Sequence, residues 1–328
     1  MNKQEILSIF GNELFTEFYL EKEATTLSYD SHYSRWVDLI PLKKGDRVLD
    51  VGHSHGFPAL ALFRKEPDIR VVGLEPAQNL LDISKAKFTG KNIGEYIRKY
   101  AHNGAVATYI ANQHQECVTH KDKISFTLPV FAEDLDKLEL GFFNHVICSA
   151  AIHWLIDPIK SLNNFNKVLN LEGTISISSA GWKYKPENPE LDHNKRFERA
   201  PFVIRFYENL YQSLGLNLDE PKNERFFNLA QVNEWFDKTG FELAEYREYR
   251  KPLSFGKLLM SCKTGTFFRY NSCNNAKLNK FNLNDFNKLF TDTVLKTMNE
   301  IDFLESVENY YDTSPYILAR KIRSFHNV

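Results

Sequence analysis

Arg47-Val48-Leu49-Asp50-Val51-Gly52-His53-Ser54-His55-Gly56 is the stretch from which the rest of the chain reads. Val48, Leu49 and Val51 make a short buried strand, and Gly52 and Gly56 let the backbone turn sharply away from it. Pro58 then precedes Ala59-Leu60-Ala61-Leu62-Phe63, a helix opening with proline in its first turn. Strand, glycine loop and helix form the first half of a βαβ unit.

The same alternation continues outward. Residues 69–74 read as a second strand ending at Glu75, and 79–88 as a helix. Residues 124–131 read as a third strand and 144–149 as a fourth. Asp157-Pro158 reads as a cap and first helical residue, with Ile159, Leu162, Phe165, Val168 and Leu169 on one face. Gly173 turns the chain into a fifth strand at 174–178. Alternating buried strands and amphipathic helices predict a parallel sheet covered on both faces. Beyond residue 183 the chain is charged and aromatic, with helical patterns near 203–214, 232–236 and 286–301 and strands at 241–250 and 316–321. Sheet segments at both ends with helical inserts between them predict one sheet domain carrying a cap.

Composition narrows the classes. The chain has 328 residues, with 41 Lys plus Arg against 42 Asp plus Glu, so its net charge of −1 argues against wholesale binding of nucleic acid or acidic lipid. Hydrophobic residues at 43% and charged residues at 25% are those of a globular protein. Cys117, Cys148, Cys262 and Cys273 form no CxxC pair, and Cys148 in the run Val146-Ile147-Cys148 reads as a buried thiol. Residues 1–15 mix Lys3, Glu5, Asn12 and Glu13 with apolar residues, unlike a signal peptide. No apolar run reaches the roughly 20 residues that span a bilayer. A cytoplasmic, non-membrane protein is expected, monomeric or homodimeric.

The first loop carries the chemistry. In an open parallel sheet, ligands sit beyond the carboxyl ends of the strands. Glycines there allow close approach, and Glu75 can accept hydrogen bonds from both hydroxyls of a ribose. The dinucleotide fingerprint GxGxxG fails, because its positions hold Gly52, Ser54 and Phe57, and no GxxxxGK[ST] loop is present. A ligand with a ribose and no phosphate cradle is expected.

The run Val48 through Gly56 resembles motif I of the class I S-adenosylmethionine-dependent methyltransferases, which usually reads VLDxGxGxG. The resemblance extends over residues 20–180 and 231–322. It implies an α/β fold: a Rossmann-like seven-stranded, mostly parallel sheet with helices on both faces and an inserted helical lid. It implies S-adenosyl-L-methionine as cofactor, with S-adenosyl-L-homocysteine as product. The implied cofactor-binding residues are Tyr33, Asp50, Gly52, His53, Ser54, Gly56, Glu75, Pro76, Ser149 and either Glu133 or Asp134. Ser54 in place of the middle glycine is tolerated if its φ stays negative. His53 and His55 are expected to face ligand or solvent, without a metal. Where relatives show Asp-Ala-Glu for adenine, this chain has Phe131-Ala132-Glu133, so Phe131 could instead pack on the ring. Helices are expected across 93–116, an insertion of undetermined role.

Ser149-Ala150-Ala151-Ile152-His153-Trp154 is similar to the (His/Gln)-Trp motif of small-molecule carboxyl methyltransferases, such as those acting on trans-aconitate, juvenile hormone acid and malonyl-carrier protein. This implies methyl-ester formation on a small-molecule or natural-product carboxylate, with His153 and Trp154 as the catalytic pair. A carboxylate needs no general base, whereas a hydroxyl or amine acceptor would call on His153. Packing at the sheet edge is the plainer role for both residues. Methylation of a hydroxyl, amine or carbon, and a non-catalytic nucleoside-binding scaffold, are the alternatives. Trp182, Arg199 and Tyr207 are candidate substrate contacts, with Arg196 and Arg205 as further clamps for an acid and Tyr29 near the cofactor. The expected division is 1–182 for N-terminal helices and cofactor core, 183–230 and 253–308 for the cap, and 231–252 with 309–328 for the remaining core.

Overall fold

A computed structural model describes residues 2–26, 34–101, 104–178, 200–215, 228–252, 256, 258–263, 266, 283–302 and 311–323. Two helices, α1 (Lys3–Phe10) and α2 (Glu13–Thr26), precede the sheet. Asn2 and Glu5 form a reciprocal capping box that starts α1. The strands are β1 (Arg47–Val51), β2 (Arg70–Leu74), β3 (Ile124–Phe126), β4 (Phe143–Ser149), β5 (Leu169–Ser178), β6 (Phe241–Pro252) and β7 (Tyr311–Lys321). The helices after α2 are α3 (Phe57–Lys65), α4 (Gln78–Thr89), α5 (Ile93–Tyr100), α6 (Gly104–Cys117), α7 (Pro158–Val168), α8 (Pro201–Leu214), α9 (Leu229–Thr239) and α10 (Leu283–Glu300).

One seven-stranded sheet runs in the order β3-β2-β1-β4-β5-β7-β6. β1 to β5 are parallel, and β7 runs antiparallel to both of its neighbours. Strand register brings three chain exits together. Val51 lies beside Leu74 on one side and Cys148 on the other. The loops that begin at Gly52, Glu75 and Ser149 therefore leave the same edge of the sheet at the same level.

Each face of the sheet has its own core. Leu49, Val146, Phe165, Ile175, Phe236 and Ile317 join α7 and α9 to one face, while Val48, Leu60, Phe63, Val71, Phe88 and Ile147 join α3 and α4 to the other. Local signals set the helix ends. Asp157 caps α7 by accepting from Lys160 N at 2.9 Å, and Asn228 with Gln231 boxes the start of α9. In the cap, Phe202, Phe206 and Leu210 of α8 pack with Leu258, Cys262 and Val294. Cys117, Cys148 and Cys262 are buried free thiols.

The strand expected at 124–131 stops at Phe126. Past it Pro129 has no N–H to pair, and β3 is an edge strand with β2 as its neighbour. β5 begins five residues earlier than the expected 174, with Glu172 at φ 63 and Gly173 too close to Asn170 O and Asn144 O for a side chain. The insertion at 93–116 is helical, as α5 and α6. Among the described residues no helix is long and apolar enough to cross a membrane.

Candidate functional site

The three loops at the shared sheet edge enclose a cleft of about 670 Å³, including its open mouth. Gly52, Ser54, Glu75 and Pro76 line one side, Ser149, Ala150, Ala151 and Trp154 another, and Phe131, Ala132 and Glu133 a third. Ile6, Phe10 and Tyr19 of the N-terminal helices form the outer wall. Gly52 takes φ +70, and a Cβ on it would stand 2.5 Å from the Ala151 Cβ. The glycine loop and the loop after β4 therefore touch across the floor.

Glu75 is the most organised group here. Its Oε2 accepts from Ser54 N and its Oε1 from Ala77 N, both at 2.9 Å. The carboxyl is buried, and burial pushes it up to about 7 even though the two backbone N–H groups favour its charge. A carboxylate so placed still has lone pairs for hydroxyl donors. Ser54 departs from expectation: its φ is +52, in the left-handed region that the usual glycine would occupy without strain. Its hydroxyl is buried without a hydrogen-bond partner. A strained serine holding an orphaned hydroxyl beside an acid fits a ribose-bearing, polar-tailed ligand, and the apolar lining residues, Leu80, Phe131 and Leu155 among them, suit a flat ring.

The two histidines do not face ligand or solvent. His53 is fully buried, its Nδ1 2.7 Å from Asp50 Oδ2 and its Nε2 2.7 Å from Ser84 Oγ. Acid, imidazole and hydroxyl are in line, but all three lie beneath the loop with no exposed surface, so they brace it rather than meet a substrate. The ring fills the space that Gly73 leaves on β2, where a Cβ would come within 2.8 Å of it. Gly73→Ala is accordingly expected to lower stability by about 1–3 kcal/mol in urea unfolding. His55 also turns inward, onto α2 and α4. Asp50 and Gly56 sit with them under the loop, outside the pocket wall. Among the described residues no three His, Cys, Asp or Glu groups gather as metal ligands.

Of the two acids after β3, Glu133 lines the pocket and Asp134 does not. Glu133 Oε1 accepts from Ile156 N at 2.7 Å and from Asp157 N at 3.2 Å, so it ties the β3 end to the loop after Trp154. Asp134 pairs with Lys3 and with Lys137, at 2.8 Å to the latter, and those bonds hold its carboxyl below the usual range. Trp154 lines the pocket, edge-on to Phe10 with ring centres 4.9 Å apart. His153 is half-buried outside the wall, and desolvation pushes its imidazole down to about 4. Ser149 lies in the wall, with its hydroxyl 3.0 Å from that of Ser178.

Of the expected substrate contacts, Tyr207 packs on α8 against Phe206, away from the pocket. Arg205 sits in exposed ion pairs with Glu300 at 2.7 Å and Glu208 at 2.8 Å, the first of which joins α8 to α10. Tyr29, Tyr33, Trp182, Arg196 and Arg199 lie outside the described residues. Ile6, Phe10 and Tyr19 are pocket residues that motif reading missed. The capping box at Asn2 and Glu5, followed by Ile6, Ile9 and Phe10, was the available signal for an apolar helix face there.

The family model described as a methyltransferase domain matches residues 27–246. Among solved structures the chain is similar to a Bacillus halodurans C-125 protein assigned as a methyltransferase, at 15% identity and TM-score 0.49, covering 89% of this chain and all of that one. It is similar at the same identity and TM-score to the MccD protein, covering 89% of this chain and 96% of that one. It is also similar to Haemonchus contortus phosphoethanolamine N-methyltransferase 2, at 15% identity and TM-score 0.49, covering 96% of this chain and 60% of that one. No curated protein matches the chain significantly in sequence.

Proposed function

The chain belongs to the methyltransferase domain family, and from that premise we propose that this S-adenosylmethionine-dependent enzyme methylates a carboxylate of a small, largely apolar acceptor. When bound, the cofactor supplies a methyl group activated by its sulfonium. Glu75 would hold the ribose, Gly52, Ser54 and Pro76 the backbone of the loop around it, and Glu133 or Phe131 the adenine side. Ser149, Ala151 and Trp154 would border the acceptor.

The observation that carries the acceptor reading is that, among the described residues, no group beside Trp154 is left to act as a base. His153, at about 4, holds a proton too weakly to take one from a hydroxyl or an ammonium. Glu75 accepts one backbone N–H on each oxygen, and its remaining lone pairs are assigned to the ribose hydroxyls. An acceptor that is already anionic at neutral pH needs neither. Catalysis then rests on alignment and on water exclusion by Ile6, Phe10, Tyr19 and Trp154. The cap helices α8 and α10 are proposed to cover the acceptor side.

A second reading has one observation in its favour. Among the described pocket residues the charged groups are Glu75 and Glu133, with no Lys or Arg, which suits a neutral acceptor with a hydroxyl, amine or carbon nucleophile. Product chemistry separates the two. With a methyl-labelled cofactor, a carboxyl product is expected to release labelled methanol in mild base. Label that stays on the product would replace the ester by an ether, amine or carbon-methyl linkage.

A further inference from the structure

Five side chains close a buried ring beside the pocket. Glu23 Oε1 on α2 lies 2.8 Å from His55 Nε2 in the glycine loop. Lys87 Nζ on α4 lies 3.0 Å from His55 Nδ1 and donates to Gln113 Oε1 of α6 at 2.7 Å. Gln113 Nε2 donates to the Tyr109 hydroxyl at 2.7 Å, and that hydroxyl donates to Glu23 Oε2 at 3.2 Å. Glu23, His55 and Lys87 are each no more than 2% exposed.

The proton positions follow from the donors. An ammonium only donates, so His55 Nδ1 accepts from Lys87 and the ring proton sits on Nε2, within ion-pair distance of Glu23 but not aligned on it as a hydrogen bond. Burial lowers the His55 pKa, in keeping with a neutral imidazole. Glu23 and Lys87 thus stand on opposite sides of a neutral ring, and burial lowers the Lys87 pKa as well. Neither has water to turn to, so loss of one leaves the other uncompensated.

The ring joins parts of the chain that otherwise have separate tasks. Its loop member is the residue between Ser54 and Gly56. Its α2 member lies one helical turn past Tyr19, whose ring centre is 5.4 Å from that of His55 and which lines the pocket. Its α6 members come from the insertion at 93–116, and Leu20 of α2 packs there on Val106 and Ile110, beside Ile83 of α4. On its other side α2 reaches the cap through Glu21 and Lys263, 2.7 Å apart.

We propose that Glu23, His55 and Lys87 are positioning residues for the cofactor site: the ring seats α2 on the glycine loop, and so sets Tyr19 and the preceding α1 as the outer wall of the pocket. The insertion supplies the outer half of that seat. The proposal rests on the cofactor reading above.

The full chain is tested by calorimetry with S-adenosylhomocysteine and by amide hydrogen exchange. His55→Leu and Lys87→Met are expected to weaken binding at least ten-fold and to speed exchange in residues 13–26, with β1, β2 and β4 unchanged. His55→Gln, which keeps one acceptor and one donor, is expected to recover most of both. If the single variants do not fold, Glu23→Gln/Lys87→Met makes the same comparison without stranding an ion. Unchanged affinity, unchanged exchange in 13–26, or a uniform rise in exchange across the sheet overturns the proposal alone. Failure of the wild-type chain to bind S-adenosylhomocysteine overturns the cofactor reading and the proposal with it.

Discussion

Gly52→Ala is expected to abolish measurable S-adenosylhomocysteine binding in calorimetry while the sheet stays folded. Two costs combine at this position. The backbone is at φ +70, where an L-residue loses about 1–2 kcal/mol. The added Cβ would meet the Ala151 Cβ at 2.5 Å, a separation that cannot be kept. Neither atom is the end of a flexible side chain, so one loop must move, and both loops wall the pocket. Gly52→Ala/Ala151→Gly removes the steric part and leaves the conformational part. It should recover binding to within about ten-fold of wild type, and the cycle measures the coupling between the two loops. Full binding by Gly52→Ala would show that the loops do not constrain each other.

Glu75→Gln is expected to do two opposite things. It should weaken S-adenosylhomocysteine binding by about 10- to 100-fold, because hydrogen bonds to a charged acceptor contribute roughly 1.5–3 kcal/mol. It should also make the ligand-free protein more stable at pH 8. The folded carboxyl is raised from 4.5 to about 7, so the folded state holds the proton more tightly than the unfolded chain. The wild-type contribution is therefore best below 4.5, is lost as pH rises to 7, and is flat above it. At about 1.4 kcal/mol per pH unit the loss comes to about 3 kcal/mol at pH 8. The amide NH₂ of glutamine must face one of the two backbone N–H groups, which returns about 1 kcal/mol of that gain. A net rise of about 2 kcal/mol at pH 8, fading toward pH 4.5, is what denaturant unfolding of the ligand-free forms should read. A variant that binds as well as wild type would remove Glu75 from the ribose role.

What could be read from the sequence was what local rules govern. The run of Val48, Leu49 and Val51 before Gly52 announces its strand and turn by itself. So do Asp157-Pro158 at the start of α7 and Gly240 at the end of α9. The directions of His53 and His55 were not legible. They accompany a loop backbone in which Ser54 takes φ +52 rather than the expected negative value. Nothing local distinguishes that from the solvent-facing alternative. The empty place on β2 at Gly73, into which His53 fits, is visible only once β1 and β2 lie side by side. The N-terminal wall was missed for a similar reason: Ile6, Phe10 and Tyr19 precede the motif and reach it only through folding. Of the two partners of Arg205, Glu208 three residues on was legible from helical spacing, whereas Glu300 lies far along the chain on another helix.

The strand order has a consequence for synthesis. β7 lies between β5 and β6 but follows both in the chain, so the sheet is completed from within by a late segment. While residues 253–310 are being added on the ribosome, β6 has no neighbour, and β5 presents the backbone of Ile175 and Ile177 as an open edge. Such edges template pairing with other chains. The parallel half, with its glycine loop, can form first. Only the arrival of residues 311–321 both closes the sheet and withdraws that edge from neighbouring nascent chains.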